Sequence, residues 1–329
     1  RLYVAALPVT GRAIDLSAIE NATSGAAAYA TERVSAPGGE FIHWSADGTS
    51  LTWSVGPRFF QYDVDGSLGT GTNEAKQIAD LSLSVDSDRP RGLVAFTNAR
   101  VITMNSARDV IENGVVVVED NRIVALGATG DVSIPDAARK VDLGGKTLMP
   151  GYVDAHAHGP YARDDIIPQN NWSLLAHLAL GVTTVHNPSS RAAQVFPAAE
   201  YQRAGKIIGP RIFSTGEIIY GAKSTGFDPI ESLDDAKAVV DRLKAQGAIS
   251  VKNYNQPRRA QRQMVIEAAR DAGMLVVAEG GSLYNMDMNL VADGSTGIEH
   301  NIPTLKIYDD VRDFWSSTRV GYTPTLSVT

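Results

Sequence analysis

From Thr147 onward, short apolar strands alternate with amphipathic helices, and that rhythm admits few folds other than a parallel sheet joined by helical crossovers. Strands are expected at 148–156, 182–186, 211–215, 249–254, 275–279, 297–300 and 321–326. Seven strands in βα alternation imply an α/β fold, a TIM-like (β/α)8 barrel that this chain leaves one strand short. The intervening helices show their grammar in the residues. Ser232 can cap a helix with Asp234 and Asp235 in its first turn, Leu233, Ala236, Val240 and Leu243 form one stripe, and Gly247 follows the end. The stretch 258–272 repeats the pattern, with Met264, Val265, Ala268 and Ala272 facing inward.

Upstream the texture is all β. Within residues 1–86, 41–45, 51–54 and 59–62 read as three strands of one antiparallel meander, with a turn at Ala46-Asp47-Gly48-Thr49. A lone meander cannot bury both faces or protect its edges. Residues 86–92, polar and containing Pro90 and Gly92, form a boundary. Strands at 93–97, 100–104 and 115–118, with a tight hairpin at Asp120-Asn121, then make a small β-sandwich module over 93–146. The barrel portion occupies 147–329. The chain opens abruptly on the strand-like Arg1-Leu2-Tyr3-Val4-Ala5, so a natural start upstream is one expectation.

The net charge of −7, with no compensating Lys/Arg run, argues against nucleic acid as a partner. No apolar run approaches the roughly 18 residues of a membrane span, and the first ten residues lack a signal pattern. Cysteine is absent, so any metal must rely on His, Asp, Glu or a modified Lys.

The sharpest chemical feature is Pro150-Gly151-Tyr152-Val153-Asp154-Ala155-His156-Ala157-His158-Gly159. Residues two apart on an extended strand share a face, so His156 and His158 project together toward the mouth of a barrel. A divalent cation bonded to both imidazoles at about 2.0–2.1 Å would relieve their mutual repulsion. The alternative is a buried, hydrogen-bonded histidine pair.

With these residues in view, 93–327 resembles the amidohydrolase superfamily, in particular its imidazolonepropionase- and prolidase-like branch. The "PGxVDxHxH" motif is followed in order by "GVTTV" at 181–185, "VKxY" at 251–254 and "GIEH" at 297–300. The segment Trp44–Ser54 similarly resembles a blade hairpin from the last part of a TolB-type β-propeller. The resemblance implies one or two divalent metals, zinc above all, with manganese or iron open. It implies ligands at His156, His158 and His300, and a carboxylated Lys252 bridging two ions. An ordinary Lys252 paired with a carboxylate is the competing reading.

Two departures matter. Where the family ends strand five in a histidine ligand, this chain has Glu279, which could ligate a metal, act as acid–base group, pair with an arginine or bind substrate. The family's strand-eight Asp has no counterpart before Thr329, so the remainder of the protein is expected beyond residues 1 and 329, or as a separate chain. Tyr254 shares a face with Lys252 and could donate to a substrate carbonyl. Arg258 and Arg259 could grip a substrate carboxylate, or simply be a solvated helix start. His186 points to the same mouth, whereas His177 reads as structural and His43 is no ligand. The polar stretch 217–228, with Gly221, Ser224, Thr225 and Gly226, suits a lid or substrate loop.

These expectations lead first to a hydrolase of amide or other C–N bonds, acting on a small-molecule, peptide-like or cyclic amide substrate. A mononuclear deaminase and a non-catalytic scaffold that retains the barrel are the alternatives. A homo-oligomer is left open, and a periplasmic or secreted setting is implied only by the resemblance.

Overall fold

The computed structural model describes residues 1–6, 30–64, 68, 73–221, 227–281 and 283–325. The chain divides into two compact units, one made of Arg1–Ser84, Asn187–Phe196 and Phe213–Thr329, the other of Val85–His186 and Pro197–Ile212.

The first unit opens with the antiparallel pair β1 (Leu2–Ala5) and β2 (Thr31–Ser35). A four-stranded meander follows, β3 (Glu40–Trp44), β4 (Ser50–Val55), β5 (Arg58–Asp63) and β6 (Lys76–Asp80). The β3–β4 turn is closed by Asp47, which accepts from the Ser45 hydroxyl at 2.6 Å and the Thr49 hydroxyl at 2.8 Å. These bonds favour the carboxylate and hold Asp47 down at about 2. Trp53 and Tyr62 are buried with Leu51, Val55, Leu2, Val4 and Val34, so β1 and β2 share a core with the meander. The fourth strand, β6, was not evident in the sequence.

The second unit holds a five-stranded sheet of β7 (Leu93–Ile102), β8 (Val110–Glu119), β9 (Arg122–Ala128), β10 (Arg139–Asp142) and β11 (Thr147–Leu148). The expected strands at 93–97 and 100–104 are one strand whose pairing register shifts near Asn98, a residue with φ of 52°. The hairpin turn falls at Asp120, at φ 53°, with Glu119 opposite Arg122. Val115 and Val117 pack into one core while Val116 packs into another, so β8 is buried on both faces.

Here the first barrel strand departs from expectation. Thr147 and Leu148 pair with β7 in the module's sheet, and only β12 (Tyr152–Asp154) of the expected span pairs with the strand that follows it in the chain. Pro150 between them has no N–H to give a ladder, and a side chain at Gly151 would collide with Thr183. After α1 (Trp172–Ala179), capped by the Asn171 side chain, β13 (Val182–Asn187) runs parallel to β12. Then come α2 (Ala192–Arg203) and β14 (Arg211–Ser214), the third strand in the order β12-β13-β14.

The first unit resumes with α3 (Leu233–Gln246), β15 (Ser250–Asn253), α4 (Arg259–Asp271), β16 (Leu275–Glu279), α5 (Tyr284–Asp293), β17 (Gly297–Glu299), α6 (Asp309–Ser316) and β18 (Gly321–Thr323). Its four strands form a parallel sheet in sequence order. The seven strands thus lie in two sheets, of three and four, and residue 326 of the last expected strand lies outside the described residues. Helix α3 shows the expected capping box, with Ser232 accepting from Asp235 N–H at 3.2 Å, and ends at Gly247 with φ of 115°. Its buried face (Ala236, Val239, Val240, Leu243) meets Val265, Ala268 and Ala269 of α4, with Val251 and Val276 from the sheet below. Each buried Val or Leu among them contributes about 1.5–3 kcal/mol relative to exposure, and each Ala less.

Candidate active site

Three of the residues singled out in the sequence meet in the first unit. Lys252 lies on β15, Glu279 closes β16, and His300 follows β17. Lys252 Nζ is 2.6 Å from Glu279 Oε2, and His300 Nε2 is 3.1 Å from Glu279 Oε1. The Lys252 side chain is only 2% exposed and Glu279 14%. Nζ makes no well-directed hydrogen bond, so the contact is an ion pair without the angular fit that would satisfy all three donors. His300 Nδ1 lies 2.7 Å from Thr325 Oγ1, which fixes the ring from its other side. The His300 backbone is left-handed, at φ 69°, a conformation that costs a non-glycine residue free energy and recurs where function demands a side-chain direction.

Tyr254 lies just beyond β15. Its phenol is pushed up from the ordinary value by burial, then by the Glu279 charge and by Tyr220, so it stays a donor. The backbone beside it is locked: Ile219 N–H donates to Lys252 C=O at 2.9 Å and Tyr254 N–H donates to Ile219 C=O at 3.0 Å. Two buried glutamines hold the ends of the loop that follows. Gln256 Oε1 accepts from Gly221 N–H, and Gln256 Nε2 donates to Ile219 C=O at 2.7 Å. Gln261 Nε2 donates to the carbonyls of Gly221 and Ile230, each at 2.9 Å. Of the expected lid, Ser224, Thr225 and Gly226 lie outside the described residues.

Arg258 and Arg259 part ways. Arg259 is bound to Asp293 of its own unit, with Nη2 2.7 Å from Oδ1 and Nε 2.9 Å from Oδ2. Arg258 is exposed at the head of α4.

In the second unit, His156 and His158 lie past the end of β12 rather than on the strand, His156 in the turn and His158 just beyond it. Their rings nevertheless pack edge to face with centroids 5.0 Å apart. His186, on β13, joins them through the backbone: its carbonyl accepts from Ala157 N–H at 3.0 Å, and its Nδ1 lies 3.2 Å from Ala155 C=O. Asp154 Oδ1 accepts from His156 N–H at 3.0 Å, tying the turn. His177 Nδ1 is 2.7 Å from Ser173 C=O, one helical turn back.

Within the first unit, the His300 imidazole and Glu279 carboxylate are donor types that suit a divalent ion, beside a buried lysine nitrogen short of directed partners; within the second unit, the His156 and His158 imidazoles are such donors. They occur as pairs. Among the described residues no group of three His, Asp or Glu side chains is gathered closely enough to hold an ion. Thr325, Tyr220, Gln256 and Gln261 were missed in the sequence, where single polar or aromatic residues in loops carry no periodic signal. No helix among the described residues is long and apolar enough to cross a membrane.

No family model matches the chain. Over 63 residues it is 35% identical to a 5-methylthioadenosine/S-adenosylhomocysteine deaminase of Bacillus thuringiensis (strain Al Hakam), a match covering 19% of this chain and 14% of the relative. Among solved structures it is similar to molinate hydrolase, with a TM-score of 0.60 and 15% identity over 71% of this chain and 63% of that one. It is also similar to a Xaa-Pro dipeptidase with methionine bound in its active site, with a TM-score of 0.54 and 20% identity over 70% of this chain and 66% of the other. The chain therefore has an α/β fold shared with solved hydrolases, and it spans only a small part of the curated relatives that it matches.

Proposed function

We propose that the intact protein is a metal-dependent hydrolase of the amidohydrolase type, cleaving an amide or another C–N bond of a peptide-like or cyclic amide substrate. The observation that carries this reading is a carboxylate, Glu279, held between a buried lysine and a histidine at the ends of adjacent parallel strands. Catalytic groups gather at the C-terminal ends of such strands. The fold shared with a dipeptidase and molinate hydrolase supports it.

The reading assigns one or two divalent ions, zinc first, to His156, His158, Lys252 and His300, with Glu279 as ligand or acid–base group. A bound ion supplies Lewis acidity, which lowers the pKa of water toward about 7 and polarises a carbonyl. The chain's own groups do the rest. Glu279 takes the proton of the attacking water and returns it to the leaving nitrogen. Tyr254, kept protonated, donates to the oxygen on which charge develops. Lys252 as an ammonium competes with any cation for Glu279; if Nζ first loses a proton, the free amine would add carbon dioxide with release of a second proton, and the resulting carbamate would supply anionic oxygen donors instead. Arg258 and His186 are the candidates for substrate contact, and Arg259 is withdrawn from that role by Asp293.

Metal analysis of the purified protein, together with hydrolysis assays on dipeptides and cyclic amides before and after chelation, tests this. Bound zinc, manganese or iron with chelator-sensitive hydrolysis is expected. A protein that takes up no divalent ion and turns over none of these compounds would refute it.

A second reading, a mononuclear deaminase, is favoured by the sequence match to a deaminase and by Lys252 standing as an ion-paired ammonium. It predicts one ion per chain, no added carboxyl group on Lys252 by mass spectrometry, and ammonia release from an aminopurine nucleoside.

A further inference from the structure

Side chains alternate along an extended chain, so Lys252 and Tyr254 share one face of β15 while Asn253, between them, turns to the other, where α4 packs. There Asn253, Gln256 and Arg262 close a circuit of hydrogen bonds. Asn253 Nδ2 donates to Arg262 C=O at 3.2 Å, Arg262 Nη1 to Gln256 C=O at 2.7 Å, and Gln256 Nε2 back to Asn253 Oδ1 at 3.3 Å. The Gln256 N–H also donates to Tyr254 C=O at 2.6 Å, so the circuit grips the main chain of Tyr254 directly. All three members are buried, and Arg262 is only 7% exposed. A guanidinium is a costly member of such a circuit. Asp293, a carboxylate whose charge reaches Arg262, is bonded to Arg259 and Gln263 instead, and Arg262 Nε has no hydrogen-bond partner. A buried charge short of partners costs more than an apolar side chain of its size would. Helix α4 does not need that charge to pack, since Val265, Ile266, Ala268 and Ala269 already bury its inner face. What the guanidinium supplies is a donor to Gln256 C=O, where the chain passes from β15 to α4.

We infer that Arg262 is a positioning residue, acting with Asn253 and Gln256 to hold the Tyr254 phenol beside the Lys252–Glu279–His300 cluster. The phenol's part in the reaction rests on the hydrolase reading, while its placement stands on the hydrogen bonds alone. A donor to a developing oxyanion is effective because it is already in place and need not reorganise as charge appears. A phenol free to swing would lose that advantage. The circuit removes the freedom at its source, by fixing the main chain on both sides of the Tyr254 side chain, at Asn253 and at Gln256.

The test uses the full chain, metal-free and carrying ring-labelled tyrosine. It reads the nuclear Overhauser cross-peak between Tyr254 and Tyr220, whose rings meet edge to face at 5.8 Å between centroids. Tyr254→Phe identifies the peak by deleting it. Arg262→Met, which keeps the apolar stem but no donor, should lose most of the peak, and Arg262→Lys, which restores a donor, should retain it. Asn253→Ala opens the circuit without touching the guanidinium and should lose the peak as well, so the inference stays exposed to refutation if Arg262→Met does not fold. A peak unchanged in a folded Arg262→Met or in Asn253→Ala would overturn it. In the metal-loaded protein Arg262→Met should lower kcat about tenfold, with KM changed by less than about threefold, and should cost nothing further when added to Tyr254→Phe. A residue that acts through the phenol has nothing left to hold once the phenol is gone, so additive losses would overturn the positioning role while leaving the hydrolase reading in place. If the peak responds as expected but none of these proteins hydrolyses an amide, the hydrolase reading fails and the positioning stands.

Discussion

Removing either member of the Lys252–Glu279 pair should cost far more than removing both. The ion pair is 2.6 Å long and nearly buried. With an effective dielectric of about 20, Coulomb's law gives an attraction of about 6 kcal/mol at that separation. Desolvating each ion costs several kcal/mol, so the pair contributes little net stability while making each partner dependent on the other. Glu279→Gln strands a lysine that is 2% exposed and should destabilise the metal-free protein by about 3–5 kcal/mol. Lys252→Met should cost less, since Glu279 keeps His300 at 3.1 Å. The double variant should return to within about 1–2 kcal/mol of the parent, because neither charge is then left alone. Urea unfolding of the four proteins, followed by tryptophan fluorescence, measures the coupling. Additive losses, or a Glu279→Gln cost below about 1 kcal/mol, would refute the reasoning.

Three further outcomes are expected. Asp287 is fully buried on α5, with Oδ1 lacking any hydrogen bond, and burial pushes its carboxyl up to about 6 from 3.8. Its stabilising protonated form is present below the unfolded value near 4 and lost as pH rises through about 6, so up to about 3 kcal/mol should disappear across that window. Asp287→Asn should flatten the urea-midpoint profile there, and a profile unchanged by the substitution would count against it. Gly280→Ala drives a methyl group into the Glu299 carbonyl between β16 and β17; it should lower any turnover at least tenfold with a smaller change in KM, and a fully active variant would show the strand ends to be tolerant. Gln261→Ala leaves the buried Ile230 carbonyl without its donor and the Gly221 carbonyl with only the 3.4 Å bond from Ile230 N–H; it should cost about 1–3 kcal/mol, visible as faster amide exchange at Gly221 and Ile230.

Much of the architecture was legible because it is periodic. The Ala236–Val240–Leu243 stripe, the Ser232 cap and the Gly247 stop each follow from local geometry, and α3 obeys all of them. β16 coincides with its expected span for the same reason. The first barrel strand was misread because an apolar run says nothing about which sheet will pair with it; Pro150 and Gly151 were the only hint that the run is broken. At the site, a lysine paired with a carboxylate was a reading open from the residues alone. That the carboxylate is Glu279 depends on the alignment of β15 with β16, where Lys252 stands opposite Val277 and Asn253 opposite Ala278. Arg259 looked available to a substrate because its partner, Asp293, is 34 residues away at the end of another helix.

The left-handed backbone at His300 limits how this position can change. Its imidazole is aimed by a main-chain shape that valine, isoleucine or threonine would resist, whereas asparagine, aspartate and glycine enter it readily. A laboratory library at this codon should therefore recover folded proteins mainly with short polar residues. An attempt to convert the position to another chemistry will go furthest with aspartate, which carries a donor oxygen into a bend the chain already makes.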